Sequence, residues 1–196
     1  MITFRGVNKR FGDEVVLDEL DLDLADGSVT ALMGPNGSGK TTLARLLLGL
    51  AVPDGGVVLG LEGRRCAAVF QEDRLCEQLT AVGNVRLVLS RATTGAEVVE
   101  ELRRVGLDAE SLVKPVRELS GGQRRRVAIV RALMAEEDLI VLDEPFTGLD
   151  VESKHLVMAY VQESRNDRTV LLITHDRTEV EWFGARLVEF TRQGKA

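Results

Sequence analysis

One glycine-rich segment has the residue types that bind phosphate groups. Two glycines separated by four residues, Gly34 and Gly39, are followed by Lys40 and Thr41. In this pattern glycines let backbone N–H groups face phosphate oxygens, the lysine adds a charge at the β and γ phosphates, and the hydroxyl can ligate Mg²⁺. The candidate nucleotide-binding residues are Gly34, Pro35, Asn36, Gly37, Ser38, Gly39, Lys40, Thr41 and Thr42. The alternative is a glycine-rich turn that matches by chance.

Two neighbouring acids supply groups that could complete such a site for hydrolysis. Asp143 and Glu144 follow the apolar run 139–142, which is typical of a buried strand. Because ligands of open α/β sheets bind beyond the carboxyl ends of the strands, we expect the acids and the glycine loop to face one pocket. Asp143 would hold Mg²⁺ through water, and Glu144 would orient or deprotonate the attacking water as a general base. On their own, the same residues could equally form an ordinary turn that ends a strand.

The composition limits the class of protein. The chain has 196 residues, enough for one domain with a real core, and its 44% hydrophobic and 29% charged residues are typical of a globular protein. A net charge of -6 argues against binding to bare nucleic acid, and 2 cysteines are too few for a disulfide framework or a Cys-only zinc site. Because no apolar run approaches roughly 20 residues and no secretory signal is evident, we expect a soluble, cytoplasmic chain.

Strands, loops and helices must alternate to position these groups. Period-two patterning predicts antiparallel β structure over 2–31, and a short apolar run over 29–33 leads into the glycine loop. A helix is predicted over 41–50, and the apolar runs 139–142 and 170–173 predict buried parallel strands. These features indicate an α/β fold with a nucleotide-binding core.

The middle of the chain has a different pattern. Val98, Leu102 and Val105 recur at helical spacing, and Gly106 can end that helix. No strong strand pattern occurs between 73 and 118. We therefore predict a helical insertion between parts of the α/β core.

A third motif makes the pattern specific to one family. The segment Leu119–Gln123, taken with the glycine loop and the acid pair, resembles the signature of the nucleotide-binding ATPase of the ABC transporter superfamily. The resemblance covers essentially the whole chain, with the motifs in the family's order. Further matches are Phe11 in the aromatic loop, Gln71 in the Q-loop after a strand over 67–70, Gly148-Leu149-Asp150 in the D-loop and Thr174-His175-Asp176 in the H-loop.

The resemblance implies a role for each matching residue. Phe11 would stack on adenine, Gln71 would ligate Mg²⁺ or water, and His175 would hydrogen-bond the γ-phosphate and help to place the water. The implied catalytic residues are Lys40, Gln71, Glu144 and His175, and the implied metal ligands are Thr41, Gln71 and Asp143. The residues implied to contact nucleotide, in a sandwich of two chains around two ATP molecules, are Ser120, Gly121, Gly122, Gln123 and Asp150.

Several features near these motifs have simpler interpretations. Ser120 could be only the N-cap of a helix predicted over 123–134, although the N–H groups of such a helix end also bind anions. The run Arg124–Arg126 could indicate nucleic-acid binding, but we interpret it as a solvated face because the chain is acidic. We interpret His155 as incidental, and the two cysteines, Cys66 and Cys76, as ordinary thiols.

The resemblance predicts one ABC ATPase domain over 1–196, with an N-terminal antiparallel β subdomain. The RecA-like core would occupy about 1–72 and 125–196, and the helical subdomain about 73–124. The implied function is ATP binding and hydrolysis, with Mg²⁺, in a transporter subunit that forms a homodimer or heterodimer. This subunit would energise solute transport by a separate membrane permease, with a substrate-binding protein as an optional component and no nucleic acid.

The resemblance also implies where the permease binds. It places the permease on the surface at 75–85, which would make the chain peripheral on the inner face of the cell membrane. The segment Phe70–Leu75 resembles importers of the nitrate, taurine and sulfonate type. The competing function class is a soluble ATPase module of the same kind that acts on a non-transport partner. The permease and any binding protein select the cargo, so this chain does not encode it.

Overall fold

The computed structural model describes residues 1–191. The strands are β1 (Ile2–Phe11), β2 (Glu14–Leu24), β3 (Val29–Met33), β4 (Gly55–Leu59), β5 (Cys66–Val69), β6 (Leu139–Asp143), β7 (Thr169–Ile173) and β8 (Arg186–Glu189). The helices are α1 (Lys40–Leu47), α2 (Ala81–Arg86), α3 (Gly95–Arg104), α4 (Ala109–Val113), α5 (Gly121–Met134), α6 (Val151–Ser164) and α7 (Arg177–Trp182). The last five residues of the predicted core, 192–196, lie outside the described residues.

The chain divides into two compact units. The first unit comprises Met1–Ala68, Glu137–Glu144 and the described part of Asp167–Ala196. The second unit comprises Val69–Glu136 and Pro145–Asn166. The first unit carries the sheets, with only the last residue of β5 assigned to the second, and the second unit is mainly helical.

The first unit begins with an antiparallel sheet in the order β2-β1-β4. Phe4 lies opposite Leu22 in the β1–β2 pairing, and both side chains are buried. Along β2 the buried leucines alternate with acidic residues, which is the period-two pattern of a strand with one covered face. Antiparallel pairing is confirmed for the first two strands, whereas β4 was not predicted from the sequence.

The parallel sheet of the first unit has the order β5-β6-β7-β3-β8. Val141 of β6 pairs with Leu171 of β7, and Ala31 of β3 pairs with Leu172 on the other side of β7. Every residue of β6 and β7 is buried, as predicted for central strands. Strand β8 was not predicted, because it has only 4 residues and a mixed burial pattern at the sheet edge.

Helix α1 ends at Leu47, before the predicted end at 50. Gly49 has φ 66, and the amide of Leu50 donates to the carbonyl of Arg45. A left-handed glycine with a hydrogen bond back into the last turn is a common helix stop. The sequence indicated the helix but not this terminating geometry.

Side-chain caps define the helix starts of the second unit. Thr80, Thr94, Asp108, Ser120 and Asp150 each accept a hydrogen bond from a backbone N–H in the first turn of the following helix. The stretch 73–118, all of it described, contains helices and turns apart from one isolated bridge between Thr80 and Pro115. The mainly helical character predicted for this stretch is therefore confirmed. No helix in the described part of the chain is long and apolar enough to cross a membrane.

Candidate active site

The glycine loop between β3 and α1 requires glycine at its two ends. Gly34 has φ 150, and a Cβ there would lie 2.4 Å from the carbonyl oxygen of Phe190. Gly39 has φ 100, and a Cβ there would lie 2.7 Å from a methyl group of Leu17. Both values of φ are unfavourable for residues with a side chain. The loop conformation therefore depends on glycine at both positions that define the motif.

Lys40 and Ser38 place an ammonium group and a hydroxyl group at this loop, and both can bind phosphate oxygens. Lys40 Nζ donates to the carbonyl oxygens of Gly34 and Pro35, each at 2.8 Å. Burial lowers the pKa of Lys40, while the carboxylates of Glu144 and Asp143 oppose that shift. Ser38 Oγ is buried and has no hydrogen-bond partner among the described residues. An orphaned hydroxyl beside a cation and a glycine loop fits a bound phosphate.

Thr41 and Asp143 form a hydroxyl–carboxylate pair. Thr41 lies in the first turn of α1, and its Oγ1 lies 3.3 Å from Oδ2 of Asp143 at the end of β6. No group of three or more His, Cys, Asp or Glu residues that could hold a metal occurs among the described residues. Mg²⁺ commonly binds through one or two protein oxygens together with substrate phosphates. The pair fits this mode of Mg²⁺ binding.

Glu144 and His175 lie next to each other at the ends of adjacent strands. The Glu144 carboxylate Oε1 is 3.8 Å from His175 Nδ1. Glu144 has φ 49, and its backbone N–H donates to the Ile173 carbonyl at 2.9 Å. The His175 side chain is 72% exposed, whereas that of Glu144 is 22% exposed. A carboxylate and an accessible imidazole this close together can both contact one water molecule that lies beside them.

The turn that carries His175 is held by a buried pair that the sequence did not single out. Thr174 Oγ1 donates to Oε2 of Glu179 at 2.5 Å, and both residues are buried. The N–H of Asp176 donates to Thr174 Oγ1, and the Asp176 carboxylate accepts from the N–H of Thr178. In the sequence, Glu179 lies a few residues after His175, but this spacing alone does not distinguish a buried acid from an exposed one.

Phe11 lies at the end of β1, and 48% of the residue's surface is exposed. Lys9 Nζ lies 5.5 Å from the ring centroid and forms an ion pair with Asp54 at 2.8 Å. The second carboxylate oxygen of Asp54 accepts from the N–H of Arg10 at 2.7 Å. The cation is therefore fixed near the aromatic ring, and the exposed ring surface can stack on a flat ligand.

The remaining predicted site residues belong to the second unit. Ser120 and Gln123 form a capping box at the start of α5, in which each side chain accepts a hydrogen bond from the other residue's backbone N–H. Gln123 Nε2 also donates to Ser111 Oγ at 2.7 Å. The N-cap interpretation of Ser120 is therefore correct, and it leaves the Ser120 hydroxyl proton able to donate.

The D-loop segment lies beside the signature segment. A Cβ on Gly122 would lie 3.4 Å from a methyl group of Leu149, so the two predicted motifs are neighbours within this unit. Asp150 caps α6 by accepting from the N–H of Ser153 at 2.9 Å, and this bond lowers the pKa of its carboxyl. Gln71 follows β5 and is exposed.

The solvated-face interpretation of Arg124–Arg126 is wrong. Arg125 is buried, with 8% of its surface exposed, and it donates to the carbonyl oxygens of Phe70 and Gln71. Arg124 donates to the Leu119 carbonyl at 2.7 Å. Arg126 donates to the carbonyls of Val105, Gly106 and Gly122. These guanidinium groups donate to main-chain carbonyls of the same unit. No local pattern in the sequence indicates this, because most of the acceptors are distant in the chain.

Comparison with known proteins agrees with this arrangement. The family model described as ABC transporter matches residues 17–147. The chain is 40% identical over 194 residues to the aliphatic sulfonates import ATP-binding protein SsuB 1 of Nocardia farcinica, covering 97% of this chain and 78% of the relative.

Two solved structures with the same fold are of MJ0796, described as a bacterial ABC transporter cassette. Its dimeric structure matches with a TM-score of 0.86 and 28% identity, covering 100% of this chain and 96% of that one. A second structure of the cassette, a post-hydrolysis state bound to ADP and Pi, matches with a TM-score of 0.86 and 26% identity over the same shares.

The chain belongs to the ABC transporter family, as an ATP-binding ATPase subunit. This membership confirms the predicted fold class, an α/β nucleotide-binding fold with antiparallel and parallel sheets. It also decides between the two function classes in favour of transport.

Proposed function

We propose that this subunit hydrolyses ATP to drive solute import through a separate membrane permease. The observation that carries the proposal is the convergence of three groups at the ends of β3, β6 and β7. These groups are Lys40 in the glycine loop, the Thr41–Asp143 pair and the Glu144–His175 pair. The relative SsuB 1 is named an aliphatic sulfonates import protein, so an aliphatic sulfonate is the first cargo to test.

The first unit would bind the nucleotide. The N–H groups of the glycine loop and of the first turn of α1 would face the β and γ phosphates, and Lys40 Nζ would pair with their oxygens. Ser38 Oγ would gain a hydrogen-bond partner there. The exposed ring of Phe11 would stack on the adenine base. Residues 34–42 and Phe11 thus form the proposed ATP-binding set.

Thr41 and Asp143 would hold Mg²⁺, with Gln71 as the third proposed ligand. When bound, the ion neutralises charge on the β and γ phosphate oxygens. The Thr41 hydroxyl and the Asp143 carboxylate lie 3.3 Å apart, so both could serve one cation, Asp143 through water.

Glu144 and His175 would act on the attacking water. The Glu144 carboxylate would accept a proton from the water as the water oxygen attacks the γ-phosphorus, and the bond from that phosphorus to the bridging oxygen would break to release ADP and phosphate. His175 would donate a hydrogen bond to the γ-phosphate and hold the water in line, since its imidazole lies 3.8 Å from the carboxylate. The buried Thr174–Glu179 pair would fix the turn that presents this imidazole.

A second copy or a related subunit would complete each ATP site. Ser120 can donate its hydroxyl proton while its oxygen serves the helix cap, and the N–H groups of Gly121 and Gly122 stand in the first turn of α5. Asp150 would contribute from the neighbouring D-loop. The dimeric MJ0796 cassette has the same fold and supports this assembly.

The permease would bind the second unit at 75–85, which would place the chain on the inner face of the membrane. Leu79 in this stretch is 37% exposed, and Asn84 holds the loop before α2 through hydrogen bonds to Cys76, Leu79 and Thr80. A rigid loop with an exposed apolar side chain suits a helix of a membrane partner.

Partner capture tests the proposal directly. Tagged chain carrying Glu144→Gln is purified from its native membranes in mild detergent with ATP and Mg²⁺. We expect a multi-spanning membrane protein to copurify in stoichiometric amount and to be released by Leu79→Arg. Copurification of a soluble protein alone would contradict the transport function.

A further inference from the structure

One buried side chain of α5 contacts the segment that carries Gln71. Arg125 Nη1 donates to the carbonyl oxygen of Phe70 at 2.6 Å, and Nη2 donates to the carbonyl oxygen of Gln71. Its Nε lies 3.2 Å from Oδ1 of Asp73. The planar guanidinium group therefore contacts three of the five residues in the stretch 70–74, which we call the glutamine segment.

The other end of the glutamine segment is also held by α5. Arg131 donates to the carbonyl oxygens of Asp73 at 3.2 Å and Arg74 at 2.9 Å. The guanidinium carbon of Arg74 lies 3.9 Å from the centroid of the Phe70 ring, so the segment also closes on itself. The backbone of Arg74 is in the left-handed region, with φ 45, which is uncommon for a residue with a side chain.

The Arg125–Asp73 ion pair is largely buried. The side chains of Arg125 and Asp73 are 10% and 18% exposed. A buried carboxylate needs cations near it, and Asp73 has Arg125 at 3.2 Å and Arg124 at 3.9 Å.

The same helix presents the signature residues. Ser120 caps α5 and Gln123 completes the cap, while Arg125 contacts the glutamine segment from the next turn of the helix. The main chain of Gln71 and the hydroxyl of Ser120 are thus attached to one helix within one unit. The position of each therefore depends on the same helix.

We propose that Arg125, with Asp73, is a positioning residue that fixes Gln71 relative to the signature end of α5. It touches neither nucleotide nor metal and acts by holding the backbone from which the Gln71 side chain extends. This inference rests on the proposed function in one respect, the role of Gln71 as a ligand to Mg²⁺ or water. Lysine at 125 would keep the charge but could not donate in the planar fork that reaches both carbonyls.

Hydrogen exchange and kinetics of Arg125→Lys test the proposal. We expect amide exchange over the glutamine segment to become at least about tenfold faster, because the segment opens locally. We expect kcat for ATP hydrolysis at saturating ATP and Mg²⁺ to fall by about 10- to 100-fold through misplacement of Gln71. The Kd for ATP should change by less than about twofold, because the hydrogen bonds and the ion pair of Arg125 join it to the glutamine segment and not to a residue proposed to bind the phosphates.

The matched control is Arg103→Lys, an exposed arginine in the last turn of α3 of the same unit. It should leave kcat, Kd and exchange at wild-type values. Asp73→Asn is the second variant, and because it keeps both carbonyl contacts of Arg125 it should give smaller changes of the same kind.

The outcomes separate this proposal from the proposed function. Unchanged exchange over 70–74 in both variants, or unchanged kcat with increased exchange, would overturn the positioning role. An equal rise of exchange across all of α2–α6 would also overturn it, because Arg125 would then be a general stability residue. If the wild-type chain hydrolysed no ATP, the proposed function would fail, and exchange would still decide whether Arg125 holds the segment.

Discussion

The helices α1 and α5 both begin at segments proposed to bind phosphate, but they begin in different ways. Helix α1 starts after Gly39 in a left-handed conformation, and no side chain caps it. Helix α5 starts with a capping box in which Ser120 and Gln123 satisfy each other's backbone N–H groups. The backbone N–H groups at the start of α1 are thus left for a ligand. At the start of α5, two backbone N–H groups are already hydrogen-bonded within the capping box.

The surroundings of the two helix ends differ in the same sense. Around α1, backbone approaches so closely that a Cβ on Gly34 or Gly39 would overlap its neighbours. Around α5, the long side chains Arg124, Arg125 and Arg126 donate to main-chain carbonyls. The glycine loop of the first unit therefore needs residues without a side chain at Gly34 and Gly39. The start of α5 in the second unit needs the long side chains of its arginines. Substitutions can separate these two modes.

Loss of the loop cation should have the largest effect. Lys40→Ala removes the charge proposed to pair with the β and γ phosphates, so we expect the Kd for ATP to rise by about 100-fold or more and hydrolysis to be lost. Isothermal titration calorimetry measures the affinity. Lys114→Ala, which removes an exposed lysine paired with Glu110, is the control and should bind ATP normally. An unchanged Kd in Lys40→Ala would refute the assignment of the loop.

The signature end should separate binding from hydrolysis. Ser120→Arg places a bulky cation at the start of α5, so we expect hydrolysis to fall by about 100-fold while the Kd for ATP stays unchanged. Thr94→Arg is the matched control, because Thr94 forms the same capping box at α3. Both variants should lose about 0.5–2 kcal/mol of stability, but only the first should lose activity. Equal activity in the two would show that Ser120 is an N-cap and nothing more.

The glycine loop should be sensitive to a single methyl group. In Gly39→Ala the new Cβ would meet Leu17 at 2.7 Å with φ 100, so we expect destabilisation of about 1–3 kcal/mol and weaker ATP binding. Gly95→Ala is the control, since a Cβ there has nothing within 4 Å. Thermal unfolding of the two variants measures the difference. Equal melting temperatures would contradict the close packing of the loop.

The aromatic platform should give the smallest effect. Phe11→Ala removes a stacking contact of about 1 kcal/mol at an exposed site, which corresponds to a roughly fivefold rise in the Kd for ATP. Lys9→Ala should raise Kd by about twofold, because the ring remains and only the cation near it is lost. Phe11→Tyr, which keeps the ring, should match wild type. Identical affinities for Phe11→Ala and wild type would place adenine elsewhere.

Most of the first unit could be predicted because its signals are local. The glycine loop, the apolar runs of β6 and β7 and the acids that follow β6 are each contiguous in sequence. The edge strands β4 and β8 were missed, since short strands at a sheet edge lack a continuous apolar pattern. The stop of α1 was misplaced because it depends on the conformation of Gly49.

The second unit was less predictable for a physical reason. The acceptors of Arg125 lie far from it in the chain, and an arginine run has the same composition whether it faces water or carbonyls. The Thr174–Glu179 pair of the first unit was missed for a related reason, because burial of an acid depends on the tertiary fold. Motifs identified the groups proposed to act on ATP, but the residues that hold those groups required the structure.

We propose that this chain supplies two complementary halves of an ATP site and that a second copy of the chain, rather than a related subunit, joins them. Glu144→Gln tests it most directly, because the substitution removes the general base and keeps the size of the side chain. We expect sedimentation with ATP and Mg²⁺ to give a mass of about twice the 21.5 kDa of one chain, and a single-chain mass without nucleotide. A single-chain mass with ATP and Mg²⁺ bound would contradict the account.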